Sequence, residues 1–392
     1  MTDFNKVINR RGTGSLKWDV AENELPMWVA DMDFPTAPCI RDAIAKKLKS
    51  GVFGYQVVPD EWYQAIINWW STRHNLVISK EWLCFTTGVV PAITSCVKRL
   101  TNVGDNVVVM TPVYNIFFNS IENSGRHPLE CPLVYDGNAY SIDFASLEVA
   151  FSHPNTTLLI LCNPHNPIGK VWSKAELNAI GELAAKYGVV VLADEIHCDL
   201  TEPSVSYVPF ASVSNVCRDL SVTAISASKA FSIAGLQSAA VFVPNERLRN
   251  AVVRGLNADE VAEPNSFACD AVIAAFNEGG EWLDELREHI AANRKAVGDY
   301  LVSNLPQLKL VKQDATYLLW IDVSAVCQDA AELCNYIRSE TGLYLSCGNQ
   351  YRGNGNKFVR LNVACPRSTL NDGLKRLKRG IQLYAKQQRA KK

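Results

Sequence analysis

The sequence predicts an α/β fold in which a mostly parallel sheet is covered by helices, followed by a smaller α/β domain. From about residue 60 onward, helical patterns alternate with short segments that are apolar almost throughout. Such segments are typical of parallel strands that are buried on both faces. A chain of 392 residues is also long enough for two domains.

Composition narrows the class of protein. The chain is 48% hydrophobic and 20% charged, with a net charge of −1, which is ordinary for a soluble globular protein and gives no basic surface for nucleic acid. No apolar run is long enough to span a membrane, and the N-terminus lacks the apolar core of a signal peptide. Twelve cysteines occur without CxxC pairs or histidine clusters at metal spacing. We therefore expect reduced thiols, a cytoplasmic protein and no metal site.

The first hundred residues contain helices and two ordered loops. Helical patterns cover Ile40–Leu48 and Glu61–His74, and another helix follows Gly88 and runs to about Leu100. Gly88 marks either a plain turn or a helix start whose free N–H groups bind an anion such as phosphate. The loop Leu25–Pro35 is either a structural arm or the wall of a pocket. Tyr55, which directly follows Gly54, is interpreted as a packing residue when taken alone.

The central strands each run into a polar segment. The pairs are Asn106–Met110 before Tyr114, Thr157–Cys162 before Asn166, Val189–Ala193 before Asp194, and Leu220–Ile225 before Lys229. Ligands collect at the carboxyl ends of strands in parallel sheets. These four side chains are therefore predicted to share one site. Between them, Ser173 with Glu176 forms a capping box, and Gly188 ends that helix.

Lys229 lies in a segment of small residues, Ser226–Gly235, between two predicted strands. A lysine in such a pocket loses solvation, which lowers its pKa and makes it a nucleophile and proton carrier. A solvated loop lysine is the alternative when the residue is considered alone.

The last third of the chain predicts long helices and then a second sheet. The helices are Asp270–Phe276, Glu281–Leu305 and Thr369–Gln387, and the strands are Ala239–Val243, Leu308–Val311, Tyr317–Ile321 and Phe358–Leu361. Cys347 and Cys365 lie near Arg360 in sequence, and we expect neither to be reactive.

Three motifs carry a family resemblance. They are Asn166-Pro167-x-Gly169, Asp194-Glu195-Ile196-His197 and Ser226-x-Ser228-Lys229, joined by Trp28–Phe34 and Phe358–Asn362. Together they resemble the cystathionine β-lyase and C–S lyase subgroup of the class I/II aminotransferases, which are pyridoxal-phosphate enzymes of fold type I. The resemblance implies an N-terminal arm with part of the small domain (1–48), a large cofactor-binding domain (49–286) and a small C-terminal domain (287–392).

The resemblance implies pyridoxal 5'-phosphate as the cofactor and assigns residues to its ring. Lys229 holds the cofactor covalently and then removes the Cα proton of the substrate. Asp194 pairs with the pyridine nitrogen, which makes the ring an electron sink. Asn166 bonds the phenolic oxygen, and Tyr114 stacks on the ring and assists proton movement.

The resemblance also implies which residues bind the phosphate of the cofactor. Backbone N–H groups of Gly88, Val89 and Val90 bind it, and the Ser226 and Ser228 hydroxyls contribute. Tyr55 reaches the phosphate of a neighbouring subunit, so the expected assembly is a homodimer with shared active sites.

The substrate is expected to be held mainly by Arg360, whose planar guanidinium suits a carboxylate. Tyr55, Asn166, Trp28 and Ala30 complete the implied substrate site. Trp28, Tyr114 and Tyr351 would set the pocket size.

Two positions depart from the aminotransferase pattern. Gln237 stands eight residues after Lys229, where many aminotransferases have a phosphate-binding arginine. Phosphate binding must then depend on amides, hydroxyls and the helix start. His197 replaces a tyrosine, which favours the lyase subgroup, and we interpret it as a residue of the cofactor surroundings or of the packing.

These features lead to a carbon–sulfur β-lyase that cleaves L-cystathionine or L-cysteine to pyruvate, ammonia and a thiol, homocysteine or hydrogen sulfide. An aminotransferase is the first alternative and needs a keto-acid acceptor. A regulatory protein that binds the cofactor and acts through a partner is the second.

Overall fold

The computed structural model describes residues 2–390. Its strands are β1 (Leu25–Pro26), β2 (Leu83–Thr86), β3 (Asn106–Thr111), β4 (His127–Pro132), β5 (Val134–Tyr135), β6 (Tyr140–Ser141), β7 (Thr156–Cys162), β8 (Val190–Asp194), β9 (Ser221–Ile225), β10 (Ala239–Phe242), β11 (Lys309–Leu310), β12 (Leu318–Asp322), β13 (Leu343–Tyr344), β14 (Ser346–Cys347) and β15 (Phe358–Asn362). Its α-helices are α1 (Pro38–Leu48), α2 (Asp60–Arg73), α3 (Val89–Leu100), α4 (Ile116–Glu122), α5 (Phe144–Ser152), α6 (Lys174–Tyr187), α7 (Asn215–Leu220), α8 (Glu246–Ala258), α9 (Ala268–Glu278), α10 (Gly280–Asn304), α11 (Ala330–Thr341) and α12 (Arg367–Ala390).

The large sheet has seven strands in the order β2-β10-β9-β8-β7-β3-β4. Strand β10 pairs antiparallel with both β2 and β9, and the remaining pairs are parallel. The predicted mostly parallel sheet is therefore confirmed. Because β10 runs in the opposite direction, it begins at the edge where its neighbours end.

Helices cover both faces of this sheet, and side chains along β3 show how. Val107 and Val109 pack in a core with Ile93 of α3, whereas Val108 and Met110 pack in a second core with Leu177 of α6. Successive strand residues point to opposite faces. Both faces of β3 are apolar because both are covered, which is why the alternation of polar and apolar residues is missing from the sequence.

A second, antiparallel sheet has the order β11-β12-β15-β14. The N-terminal segment lies with this part of the chain, since β1 pairs with β13 through Leu25 and Leu343. This pairing agrees with an N-terminal arm that belongs to the small domain. The boundaries at 48/49 and 286/287 stay a prediction.

Several predicted element ends are accurate because local chemistry determines them. The amide of Glu176 donates to Ser173 Oγ at 3.2 Å and the Ser173 amide donates to Glu176 Oε2 at 2.7 Å, so the predicted capping box is present. Gly188 ends α6 in the left-handed region at φ 70°. Leu220, by contrast, ends α7 and does not begin β9, because Ser214 caps an unpredicted short helix there.

Within the described part of the chain, no helix is both long enough and apolar enough to cross a bilayer.

Candidate active site

The strand ends of the large sheet meet at one cavity of about 190 Å³. Its lining includes Tyr114, Asn166, Asp194 and Lys229, the four residues that sequence reasoning placed at strand ends. Strands β3, β7, β8 and β9 are parallel neighbours, so their carboxyl ends lie at one edge. The further lining residues are Ala30, Thr87, Gly88, Val89, Val90, Pro91, Cys162, Ile196, His197, Ser226, Ser228, Ala234, Gln237 and Ser238.

Lys229 has its amine inside this cavity region and donates to the carbonyl oxygen of Ala30 at 3.0 Å. Burial lowers the pKa of Lys229, and the nearby charge of Arg360 lowers it further, whereas Asp31 and Asp194 raise it. A lysine with a lowered pKa is more often neutral and can act as nucleophile or base.

Asp194 ends β8 as a buried carboxyl group that has no ion pair within residues 2–390. Burial raises its pKa to about 7, against a hydrogen bond from the Ile196 amide at 3.2 Å and the charge of Lys229, which lower it. An isolated buried carboxylate is costly unless an opposite charge accompanies it. The position therefore suits a cationic group bound in the cavity.

Asn166 and Arg360 are hydrogen-bonded, with Arg360 Nη1 donating to the Asn166 side-chain oxygen at 3.1 Å. Arg360 Nη2 donates to the carbonyl of Trp28 at 2.9 Å and lies 3.4 Å from Ser346 Oγ. Arg360 is buried, and neither a carboxylate nor, at Nε, any hydrogen-bond partner accompanies it in the described chain. A buried guanidinium without an acid is a ready site for an anionic ligand.

The loop between β7 and α6 carries the motif Asn166-Pro167-x-Gly169. Gly169 has φ +66°, and a Cβ atom there would lie 2.8 Å from the Ala315 carbonyl oxygen. Only glycine fits this turn without displacing the backbone. The motif therefore fixes the loop that carries Asn166.

The start of α3 provides the anion-binding end of the cavity. Gly88 lies just before the helix, and the first-turn amides of Val89 and Val90 have no partner inside the helix. Ser226 Oγ is already engaged, because it donates to the Ser238 carbonyl at 2.7 Å and accepts from the Ser228 amide at 3.0 Å. The Ser226 hydroxyl would have to exchange that bond to serve a phosphate.

Ser238 is a candidate that sequence reasoning missed. It lines the cavity, and its buried hydroxyl has no partner among the described residues. Its sequence signal was its position directly before β10, the antiparallel strand that starts at this edge. Gln237 also lines the cavity, in the left-handed region at φ 51°.

Tyr114 and His197 both line the cavity. Burial raises the pKa of Tyr114 to about 12, and burial together with the charges of Lys229 and Arg360 lowers the pKa of His197 to about 3. His197 is therefore neutral near pH 7, and its Nδ1 has no hydrogen-bond partner in the described chain. This state suits a packing or hydrogen-bonding role better than that of a proton donor.

Of the remaining predicted site residues, one lines the cavity and the others lie beside it or away from it. Ala30 lines the cavity, whereas Trp28 contributes its carbonyl to Arg360 and stacks its ring on Tyr344, with centroids 4.8 Å apart. Tyr351 is buried with Arg360 5.1 Å above its ring. Tyr55 is 99% exposed and does not reach the cavity of its own chain.

Comparison with known proteins identifies the family. The model of the family "Aminotransferase class I and II" matches residues 22–377. The chain belongs to this family. It is 41% identical to the cystathionine β-lyase PatB of Bacillus subtilis, over 97% of this chain and 100% of that protein. It is 33% identical to the protein MalY of Escherichia coli, over 95% and 97% of the two chains. The resemblance seen in the motifs is therefore confirmed.

Solved structures agree with the fold. Cystalysin of Treponema denticola, described as containing pyridoxal 5'-phosphate, superposes with a TM-score of 0.95 at 32% identity, covering 97% of this chain and 99% of that one. A pyridoxal-phosphate-bound C–S lyase of Staphylococcus hominis gives a TM-score of 0.91 at 30% identity, with the same coverage. The fold prediction, type I of the pyridoxal-phosphate enzymes, is confirmed.

Proposed function

We propose that this protein is a pyridoxal-phosphate-dependent carbon–sulfur β-lyase that cleaves L-cystathionine or L-cysteine. One observation carries the proposal: a single cavity holds an amine with a lowered pKa, Lys229, and a buried carboxyl without an ion pair, Asp194. The lyase reaction is preferred to transamination because the similar proteins PatB and the C–S lyase carry that activity in their names.

The residues fit the cofactor. A protonated pyridine nitrogen would be the cationic partner for the carboxylate of Asp194. The side-chain nitrogen Nδ2 of Asn166 makes no hydrogen bond within residues 2–390 and is available to the phenolic oxygen. The phosphate would lie at the start of α3, against the amides of Gly88, Val89 and Val90, with Ser238 and Ser228 beside them.

Arg360 and Lys229 would contact different parts of the substrate. Arg360 would bind the α-carboxylate, which orients the Cα–H bond, and its contact with Asn166 couples this site to the cofactor site. When bound, the cofactor supplies an electron sink for the electron pair of the broken Cα–H bond. Lys229 would accept the Cα proton, a task that needs a neutral amine and therefore the lowered pKa.

The overall reaction balances without an oxidant. The Cβ–S bond breaks, the thiol leaves with a proton, and water converts the remaining fragment to pyruvate and ammonia. Cystathionine would release homocysteine and cysteine would release hydrogen sulfide.

We also propose a homodimer in a reducing compartment such as the cytoplasm. Tyr55 stands in an exposed segment whose apolar neighbours Val52 and Val57 are 73% and 83% exposed. Such a patch favours burial against a second copy, where Tyr55 would reach the partner's phosphate site. All twelve cysteines are free thiols, which supports the compartment.

The experiment that tests the function measures both products of L-cystathionine, pyruvate and free thiol, in the same sample without a keto acid. Equal amounts of pyruvate and thiol, each well above the enzyme concentration, support the lyase. Pyruvate without thiol, or thiol without pyruvate, would contradict it.

A further inference from the structure

A second cavity, which is lined mainly by polar residues, lies on the far side of the turn that follows Asp194. Its volume is about 360 Å³. Three potential metal ligands line it: His74 just after α2, and Cys198 and Asp199 in the turn after β8. Their ligand atoms all lie within 4.8 Å of one another. No sequence motif indicates this site, because His74 and Asp199 are 125 residues apart.

The hydrogen bonds of these residues leave ligand atoms available. Asp199 Oδ1 accepts from Trp69 Nε1 at 3.0 Å and lies 2.9 Å from His74 Nε2. Asp199 Oδ2 takes part in neither of these contacts, and the Cys198 sulfur is in contact only with backbone groups of Cys198 and Asp199. An ion could therefore bind Oδ2 while Trp69 keeps Oδ1.

The charges around the cavity do not oppose a cation as strongly as its two arginines suggest. Arg73 forms a two-point ion pair with Asp284, at 2.7 and 2.8 Å. Arg287 contacts the same carboxylate at 3.2 Å and donates from Nε to the Thr201 carbonyl at 3.1 Å. Both guanidinium groups are thus directed to existing partners, and the Asp199 charge faces the ligand cluster.

We propose that His74, Cys198 and Asp199 bind a divalent ion of the zinc class, with water from the cavity as the fourth ligand. Imidazole nitrogen, thiolate and carboxylate are the donors that Zn²⁺ and Co²⁺ use in tetrahedral sites. Ligand atoms of such a site are about 3.5 Å apart, so atoms that lie up to 4.8 Å apart have to approach by about 1.3 Å at most. On binding, the Cys198 thiol releases its proton to solvent and the sulfur becomes the ligand.

The proposed metal site is connected to the active site through consecutive residues of the chain. Cys198 follows His197 directly, and its amide donates to the Glu195 carbonyl at 3.0 Å, so the turn is tight. An ion held by Cys198 and Asp199 would tie this turn to the end of α2. We therefore expect the bound metal to raise the thermal stability of the protein.

The test is a Co²⁺ titration of the purified, cofactor-loaded, tag-free protein after treatment with a chelator. The site predicts one equivalent of bound Co²⁺ with the visible absorption of tetrahedral cobalt and a thiolate charge-transfer band, both abolished by Zn²⁺. The same titration should raise Tm. This readout does not depend on catalysis, so the proposed lyase activity can fail without affecting it.

Three variants make the test specific. Cys198→Ala and His74→Gln should lose the cobalt spectrum and the Tm shift. Cys198→Ala should fold because it removes a single sulfur atom from a buried position and introduces no polar group. Cys347→Ser, at a half-buried cysteine of β14, should keep both. A wild-type protein that binds no cobalt, or a Cys198→Ala protein that binds it as the wild type does, would overturn the proposal.

Discussion

Lys229 and Ala30 are joined by a hydrogen bond from the lysine amine to the alanine carbonyl, across 199 residues of chain. The same carbonyl accepts from the Tyr317 hydroxyl at 3.2 Å. Neighbouring carbonyls are held too, since Asn362 Nδ2 donates to Val29 at 2.6 Å and to Asp31 at 2.7 Å. The loop that closes one side of the cavity is therefore held by Tyr317, directly before β12, and by Asn362 of β15.

Tyr317→Phe tests this attachment. The variant loses one buried hydrogen bond to the loop, which is worth about 1 kcal/mol. We expect KM for L-cystathionine to rise by up to about 5-fold with kcat and cofactor absorbance nearly unchanged. Tyr300→Phe, at a half-buried tyrosine of α10, is the matched control and should behave as the wild type. Equal KM values in both variants would mean that the Tyr317 hydroxyl does not position the loop.

Arg360→Ala tests the carboxylate site. Loss of a charged, two-point partner for a buried carboxylate costs about 3 kcal/mol, so kcat/KM should fall by about 100-fold, mostly through KM. Arg360→Lys should recover little, because an ammonium group cannot make the planar pair of bonds. Steady-state kinetics with cofactor absorbance as a folding control measures this. An unchanged KM would show that Arg360 does not bind substrate.

Asp194→Asn tests the buried carboxyl through the pH dependence of stability. In the cofactor-free wild type, Asp194 has its pKa raised to about 7, so between pH about 4 and 7 the folded state keeps a proton that the unfolded state has lost. The free energy of unfolding therefore falls as pH rises through this window, and the amide variant lacks that contribution.

Urea unfolding of both cofactor-free proteins at about pH 5 and about pH 8 measures the effect. The wild type should lose stability relative to Asp194→Asn by a few kcal/mol between these values. A difference that stays constant would mean that Asp194 is not buried in its acid form. Cofactor binding should reduce the dependence, because the ring nitrogen would hold Asp194 ionised.

The proposed role of Tyr55 at the partner's site is tested by mixing two variants, Lys229→Ala and Tyr55→Ala, each of which we expect to be inactive. If Tyr55 serves the partner's site, each mixed dimer contains one site with both residues intact. Unfolding and refolding the two together should then restore about a quarter of wild-type activity, since half of the dimers are mixed and half of their sites are whole. If Tyr55 served its own chain, or had no role, the mixture would show no more activity than the separate variants.

Much of the fold could be predicted because the strand signal is local. The central strands are continuously apolar and each precedes a polar segment, so the shared position of Asn166, Asp194 and Lys229 could be expected from a parallel sheet alone. Strand β2 was missed because Leu83–Thr86 is short and its partner β10 is far away in sequence. Ser238 was missed for a related reason, since only the antiparallel direction of β10 brings it to the cavity.

The interactions that stayed hidden are those between distant segments. Neither the Tyr317 contact with Ala30 nor the cluster of His74 with Cys198 and Asp199 has a spacing that can be recognised in the sequence. Tyr55 stays a prediction, because its proposed contacts belong to a second copy of the chain.

The most direct test of the central claim is continuous pyruvate release from L-cystathionine by the purified holoenzyme, with no keto acid present. Elimination regenerates the enzyme in every cycle, so we predict a linear rate over many turnovers and none with Lys229→Ala. An aminotransferase would instead convert one equivalent of L-cystathionine to its own α-keto acid, without pyruvate or free thiol, and would continue only after a keto acid is added. That result would contradict the lyase assignment.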